Sequence, residues 1–269
     1  ADKMVGYLSN NSVIRAMFEE GRRMAEEFGA ENVYDFSLGN PNVAAPVQVK
    51  ESVLKHIEED SLDIHGYMSN IGYEEVREKI AQSINKRFDT NFHASNIIMT
   101  VGAAGGLNVI FKTLLNPGDE VITFAPFFGE YRSYTDNYDG KLVVISPNTV
   151  DFQPNLAEFE EKITPKTKVV IVNNPNNPTG TIMTKEQVIK VAEHCQKMDC
   201  WFVLDECFLE FVENGDDYSV MDQLAKYDKL IIIKSFTKMY GIAGLRLGYA
   251  LCGKDGMAAI IDMFGCEWN

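Results

Sequence analysis

The chain has 269 residues, of which 39 are Asp or Glu and 25 are Lys or Arg, giving a formal net charge of −14. So acidic a surface repels phosphate backbones, which disfavours nucleic-acid binding, and a small anionic ligand would need a locally basic pocket. Hydrophobic residues at 45% and charged residues at 24% are ordinary for a globular protein of one large or two small domains, and no apolar run approaches the ~20 residues that span a bilayer.

The opening residues Ala1-Asp2-Lys3-Met4-Val5-Gly6 lack a secretory pattern, so a cytoplasmic location is expected. The five cysteines (Cys195, Cys200, Cys207, Cys252 and Cys266) are odd in number and sit mostly in or beside apolar runs, as buried free thiols would. The spacing of His194, Cys195 and Cys200 matches no zinc pattern, and no metal site is expected.

In chain order, Asn10-Asn11-Ser12 reads as a helix cap. Val13, Ile14, Met17, Phe18, Met24, Ala25 and Phe28 then recur at helical spacing up to Gly29. A short extended run, 33–38, leads to Gly39-Asn40-Pro41-Asn42, where Gly39 is either a simple turn residue or a point of close backbone approach. A helix is predicted over 47–59. A loop carrying Tyr67 follows, and then a helix from about Tyr73 with Val76, Ile80 and Ile84 on one face.

From there strands and helices alternate. Strands are predicted at 96–101, 120–125, 141–146, 168–173, 201–204, 229–234 and 247–252. A glycine-rich turn at 102–106 and helices at 107–115 and 184–197 lie among them, the last capped by Thr184 with Gln187 in a capping box. The seven strands are mostly continuous apolar runs, as in a mostly parallel sheet covered on both faces. The expected fold is therefore α/β, a three-layer α/β/α domain over 46–269, with 1–45 as an arm or part of a second, smaller domain.

In open α/β sheets ligands bind at the carboxyl ends of the strands, and the chemically suggestive residues cluster at such ends. Lys238 follows the 229–234 strand in Ser235-Phe236-Thr237-Lys238, ahead of Gly241-Ile242-Ala243-Gly244-Leu245-Arg246-Leu247-Gly248. Partial desolvation would lower its pKa and let it form a Schiff base with a carbonyl; a plain surface lysine is the alternative. The 102–106 segment is either an anion site at a helix start or a structural tight turn. Asp205, closing a buried strand, is either a cap or ion-pair partner or the counter-charge of a protonated ring nitrogen. Asn177 lies in a Pro-Asn-Asn-Pro-Thr-Gly loop whose rigidity suits either a ligand amide or ordinary turn chemistry. One molecule would use all of these groups at once: pyridoxal 5'-phosphate, with its phosphate, pyridine nitrogen, phenolic oxygen and aldehyde.

Two stretches, Asn173-Asn174-Pro175-Asn176-Asn177-Pro178-Thr179-Gly180 and Ser235 through Gly248, make the chain resemble the fold-type I pyridoxal-phosphate enzymes of the class I/II aminotransferase group, from about residue 30 onward. The resemblance implies that Lys238 carries the cofactor and shuttles a proton at Cα, that Asp205 pairs with the pyridinium nitrogen, and that Asn177 binds the ring oxygen. It further implies that Phe128 stacks on the ring and that Ala103, Ala104, Ser235 and Arg246 bind the phosphate. Tyr67, in a Tyr-x4-Gly-x4-Arg pattern, would reach the phosphate of a partner subunit in a homodimer, and Gly39 and Asn177 would lie beside the substrate. The implied activity is transfer of an amino group between an amino acid and a 2-oxo acid.

Two departures from the family pattern bear on this reading. Phe208 stands where the family commonly has a tyrosine. Together with the region from 184 onward it is similar to threonine-phosphate decarboxylases and histidinol-phosphate aminotransferases, whereas Ser37-Leu38-Gly39-Asn40-Pro41 and Pro126-Phe127-Phe128-Gly129-Glu130-Tyr131 are similar to aspartate-type aminotransferases. The family also continues into a C-terminal small domain, bearing the arginine for the substrate carboxylate, which is expected to be absent here. The alternatives are therefore decarboxylation on the same cofactor, or a truncated or recombined large-domain fragment with little activity. A dinucleotide-binding protein is disfavoured because the glycine fingerprint is missing.

Overall fold

A computed structural model describes residues 13–253. The chain divides into two compact units, Ala1–Asn42 and Val43–Asn269. The predicted cap at 10–12 and Cys266 lie outside the described residues.

The first unit contains helix α1 (Val13–Phe28), closed by Gly29 at φ 88°. Arg23 ties its exposed face together, bonding Glu20 at 2.5 Å and Glu27 at 2.6 Å. The extended run predicted over 33–38 is interrupted: Asp35 Oδ1 accepts the Ser37 N–H at 2.8 Å and bends the chain before Gly39.

In the second unit, α2 (Val47–Glu59) and α3 (Glu74–Phe88) precede the alternation. Then follow β1 (Ile97–Val101), α4 (Gly102–Leu114), β2 (Glu120–Phe124), α5 (Glu130–Asn137), β3 (Lys141–Ile145), α6 (Leu156–Lys162) and β4 (Thr167–Asn173). The series ends with α7 (Lys185–Lys197), β5 (Trp201–Asp205), β6 (Leu230–Ser235) and β7 (Leu247–Cys252). The capping box at Thr184 and Gln187 is present.

These strands form one seven-stranded sheet in the order β1-β7-β6-β5-β4-β2-β3. All neighbours are parallel except β7, which runs antiparallel to both β1 and β6. The pleat divides each apolar strand between two cores. Val170, Val172, Phe202, Leu204 and Ile232 join Ile84 of α3, Phe159 of α6 and Val188 of α7. Val169, Ile171, Val203, Ile231 and Ile233 join Leu107 and Phe111 of α4 and Tyr131 of α5 on the other face. The result is the expected three-layer arrangement, with a mostly parallel sheet flanked by helices.

Three expectations need correction. The 102–106 segment is not a turn but the first turn of α4, since the helix begins at Gly102. Val76 is exposed rather than packed, and Arg77 takes the inward position instead, donating to the carbonyls of Ala94 (2.5 Å) and Gly72 (3.2 Å). Helices α5 and α6 were not expected from the sequence, because each is short and carries few apolar residues. Among the described residues no helix is long and apolar enough to cross a membrane.

Candidate functional site

The sheet topology gathers several of the sequence-predicted groups on one edge. Asn173, the last residue of β4, pairs with Asp205, the last of β5. Because β7 is antiparallel, its beginning lies where its neighbours end: Leu247 is opposite Val101, and Gly248 is opposite Ser235. Arg246, just before β7, therefore stands at the carboxyl edge beside the start of α4.

That corner gathers donors that could meet an anion. Val101 caps α4 without a side-chain hydrogen bond, so the first-turn amides, including those of Ala103 and Ala104, keep donors for a ligand. Gly102 has φ +66°, and a Cβ there would lie 2.8 Å from Arg246 Nη2, which places the guanidinium directly over the helix start. Arg246 Nη1 also donates to the Ala243 carbonyl at 3.1 Å. Ser235 Oγ accepts the Thr237 N–H at 3.2 Å and lies 2.7 Å from Thr237 Oγ1.

Gly248 lets backbone pack on backbone: a Cβ would come within 2.9 Å of Gly102 C and of Lys234 O, and 3.1 Å of Ala103 N. Main chain cannot step aside as a flexible side chain can. Gly248→Ala is therefore expected to lower folding stability by about 1–3 kcal/mol, measured by urea unfolding.

Asp205 is only 6% exposed. Its Oδ1 accepts the Cys207 N–H at 3.1 Å and its Oδ2 accepts the Tyr131 hydroxyl at 2.8 Å. Burial pushes its carboxyl up from the ordinary value, and the Cys207 thiol, the Tyr131 hydroxyl and the Cys207 N–H hold back part of the rise. Sequence reasoning missed Tyr131 as a partner because it missed α5. The available signal was an aromatic donor three residues after Phe128, and the two rings meet edge to face at 5.6 Å and 80°.

Asn173 was also missed. Its Nδ2 donates to the Asp205 carbonyl at 3.0 Å, and its Oδ1 accepts the Asn177 N–H at 2.6 Å. Asn176 Nδ2 donates to the Pro126 carbonyl at 2.8 Å. The loops carrying Phe128, Asn177 and Asp205 are thus clipped to one another by side-chain amides.

Lys238 is half-buried, and burial followed by the charge of Arg246 lowers its pKa from the ordinary value, with Cys207 acting in the opposite sense. An amine of this kind is a better nucleophile near neutral pH than an exposed one. Phe208 packs its ring against Phe211 at 6.3 Å. Tyr67 is fully exposed in the second unit, whereas Gly39 belongs to the first. Cys195, Cys200, Cys207 and Cys252 are buried and free, and His194 Nε2 stands 3.6 Å from Glu160 Oε1.

A buried carboxylate, a half-buried amine of lowered pKa and a helix start beneath an arginine make the carboxyl edge of this α/β sheet the candidate site. The family model for aminotransferase class I and II matches residues 31–264, and the chain belongs to that family. Its members use pyridoxal 5'-phosphate.

The chain is 29% identical over 250 residues to an aspartate aminotransferase of Sulfurisphaera tokodaii, covering 91% of this chain and 62% of that protein. It is 30% identical over 226 residues to a probable N-acetyl-LL-diaminopimelate aminotransferase of Bacillus subtilis, covering 84% of this chain and 56% of that protein. Among solved structures, an aminotransferase from Eubacterium rectale superposes with a TM-score of 0.89 at 33% identity, covering 98% of this chain and 69% of that one. An aspartate aminotransferase from Thermotoga maritima does so at 0.87 and 27%, covering 96% and 68%. The chain spans about 60% of the length of the curated relatives it matches. These relatives give the decarboxylase alternative no support.

Proposed function

We propose that this chain forms the larger part of a pyridoxal-phosphate-dependent aminotransferase, transferring an amino group between an amino acid and a 2-oxo acid. The observation that carries the reading is the buried, hydrogen-bonded Asp205 on the same sheet edge as an anion corner and the activated amine of Lys238. The donor set fits the cofactor: a helix start and a guanidinium for a phosphate, a carboxylate for a ring N–H, and an amine for an aldehyde.

Bound pyridoxal phosphate supplies a protonated ring that draws electrons from the substrate Cα. The chain's own residues do the rest. Arg246, Ser235 and the amides of Ala103 and Ala104 anchor the phosphate. Asp205 holds the proton on the ring nitrogen, where exclusion of water strengthens the attraction. Asn177 donates to the ring oxygen, with Phe208 leaving that oxygen one donor fewer than a tyrosine would. Phe128 covers one ring face. Lys238 would hold the cofactor through its aldehyde and would move the proton at the substrate Cα.

Gly39 is assigned to the substrate side, and Tyr67 to the phosphate of a second copy in a homodimer. The exposed Val53, Leu54 and Ile57 of α2, together with the fully exposed Tyr67, support an interface there.

The test adds pyridoxal phosphate to the purified chain, reduces with borohydride and maps the modified peptide by mass spectrometry. Covalent cofactor on Lys238 is expected. An unmodified chain, or modification spread over surface lysines, overturns the reading.

A further inference from the structure

Ionised Asp205 can accept more hydrogen bonds than it receives. A carboxylate offers about four lone-pair sites; the Cys207 N–H and the Tyr131 hydroxyl fill one on each oxygen and the Cys207 thiol a third, which leaves one open. The Tyr131 donor is set rigidly. Its side chain is 0% exposed, its ring abuts Phe128 edge to face, and α5 holds it in the same core as Val169, Ile171 and Val203. Burial, with the charge of Asp205 added, raises the Tyr131 pKa well above the ordinary value, so the phenol keeps its proton and remains a donor. Without that donor the buried carboxyl would lean further towards its neutral form and would be free to rotate about its last bond.

We propose that Tyr131 is a positioning residue for Asp205, holding the carboxylate ionised and turned so that its open lone pair meets the ring nitrogen of the cofactor. This rests on the function proposed above. Tyr131 itself touches neither substrate nor reacting atoms, and acts only through Asp205.

The experiment compares Tyr131→Phe with the unaltered chain in spectrophotometric titrations. Two ligands are used: pyridoxal phosphate, and its carbocyclic analogue in which CH replaces the ring nitrogen. Because the lost bond is to a charged group, the variant is expected to bind pyridoxal phosphate about tenfold more weakly. The analogue, having no nitrogen for Asp205 to meet, is expected to change by less than about twofold. Equal losses for both ligands, or none for either, overturn the proposal. Tyr131→His, which restores an aromatic donor, is expected to recover part of the lost discrimination. It decides the matter if the phenylalanine variant does not fold, since a histidine variant without discrimination also overturns the proposal. Failure of the unaltered chain to bind pyridoxal phosphate would instead remove the functional reading itself.

Discussion

Glu206→Ala is expected to lower folding stability by about 3–5 kcal/mol, the range seen when one partner of a buried ion pair is removed. Glu206 is 0% exposed and Lys234 is 5% exposed, and Lys234 Nζ lies 3.3 Å from Glu206 Oε2 and 2.7 Å from Glu210 Oε1. Burial acts to lower the Lys234 pKa, but the carboxylates around it more than reverse the effect, and it stays charged. Removing Glu206 leaves that ammonium with Glu210, which Arg87 also engages at 3.6 Å. It also strips the Ser219 hydroxyl of the acceptor it bonds at 3.0 Å. Glu206→Gln keeps an acceptor and most of the volume, so its cost is expected to be smaller, about 1–3 kcal/mol. Urea unfolding measures both, and a loss below about 1 kcal/mol for the alanine variant would show that the pair does not stabilise the fold.

Lys238→Ala is expected to abolish covalent cofactor attachment and to reduce amino transfer by about a thousandfold or more, as loss of a covalent nucleophile does. Only the neutral amine attacks a carbonyl, so attachment should quicken as pH rises and level off above the pKa of Lys238. Burial and then Arg246 lower that pKa, so the plateau is expected to begin below the ordinary lysine value of 10.5. Stopped-flow absorbance across pH tests this in the unaltered chain. A rate still climbing past 10.5 would exclude an activated lysine.

The first of these predictions depends on the pleat. Asp205 and Glu206 are neighbours in sequence, and successive side chains of a strand point to opposite faces. Asp205 follows Val203 to the face where Tyr131 lies, while Glu206 follows Leu204 to the face of Lys234 and Ser219. Choosing Asp205 as the cofactor carboxylate was possible from sequence position and family pattern, and the buried role of Glu206 was not, because its partner Lys234 looked like the polar end of an apolar strand.

The strands were legible to within a residue or two because each is a continuous apolar run ended by polar or glycine residues, the mark of burial on both faces. Helices α5 and α6 were not, since packing on the sheet rather than their own periodicity holds them. The start of α4 was misjudged because glycine's local preference for turns gave way to helix–sheet packing.

By itself, the sequence singled out the candidate residues: a lysine and an aspartate at strand ends, an amide in a proline-stiffened loop, and an arginine framed by glycines. Those are properties of local composition. Only the tertiary structure decided how they meet. The antiparallel course of β7 brings Arg246 to the edge where β1 and β6 end, and α5 returns Tyr131 to Asp205. Strand pairing is made by backbone groups that every residue shares, so its order and direction leave little trace in the side chains, and convergence of distant loops appears only once the sheet is assembled.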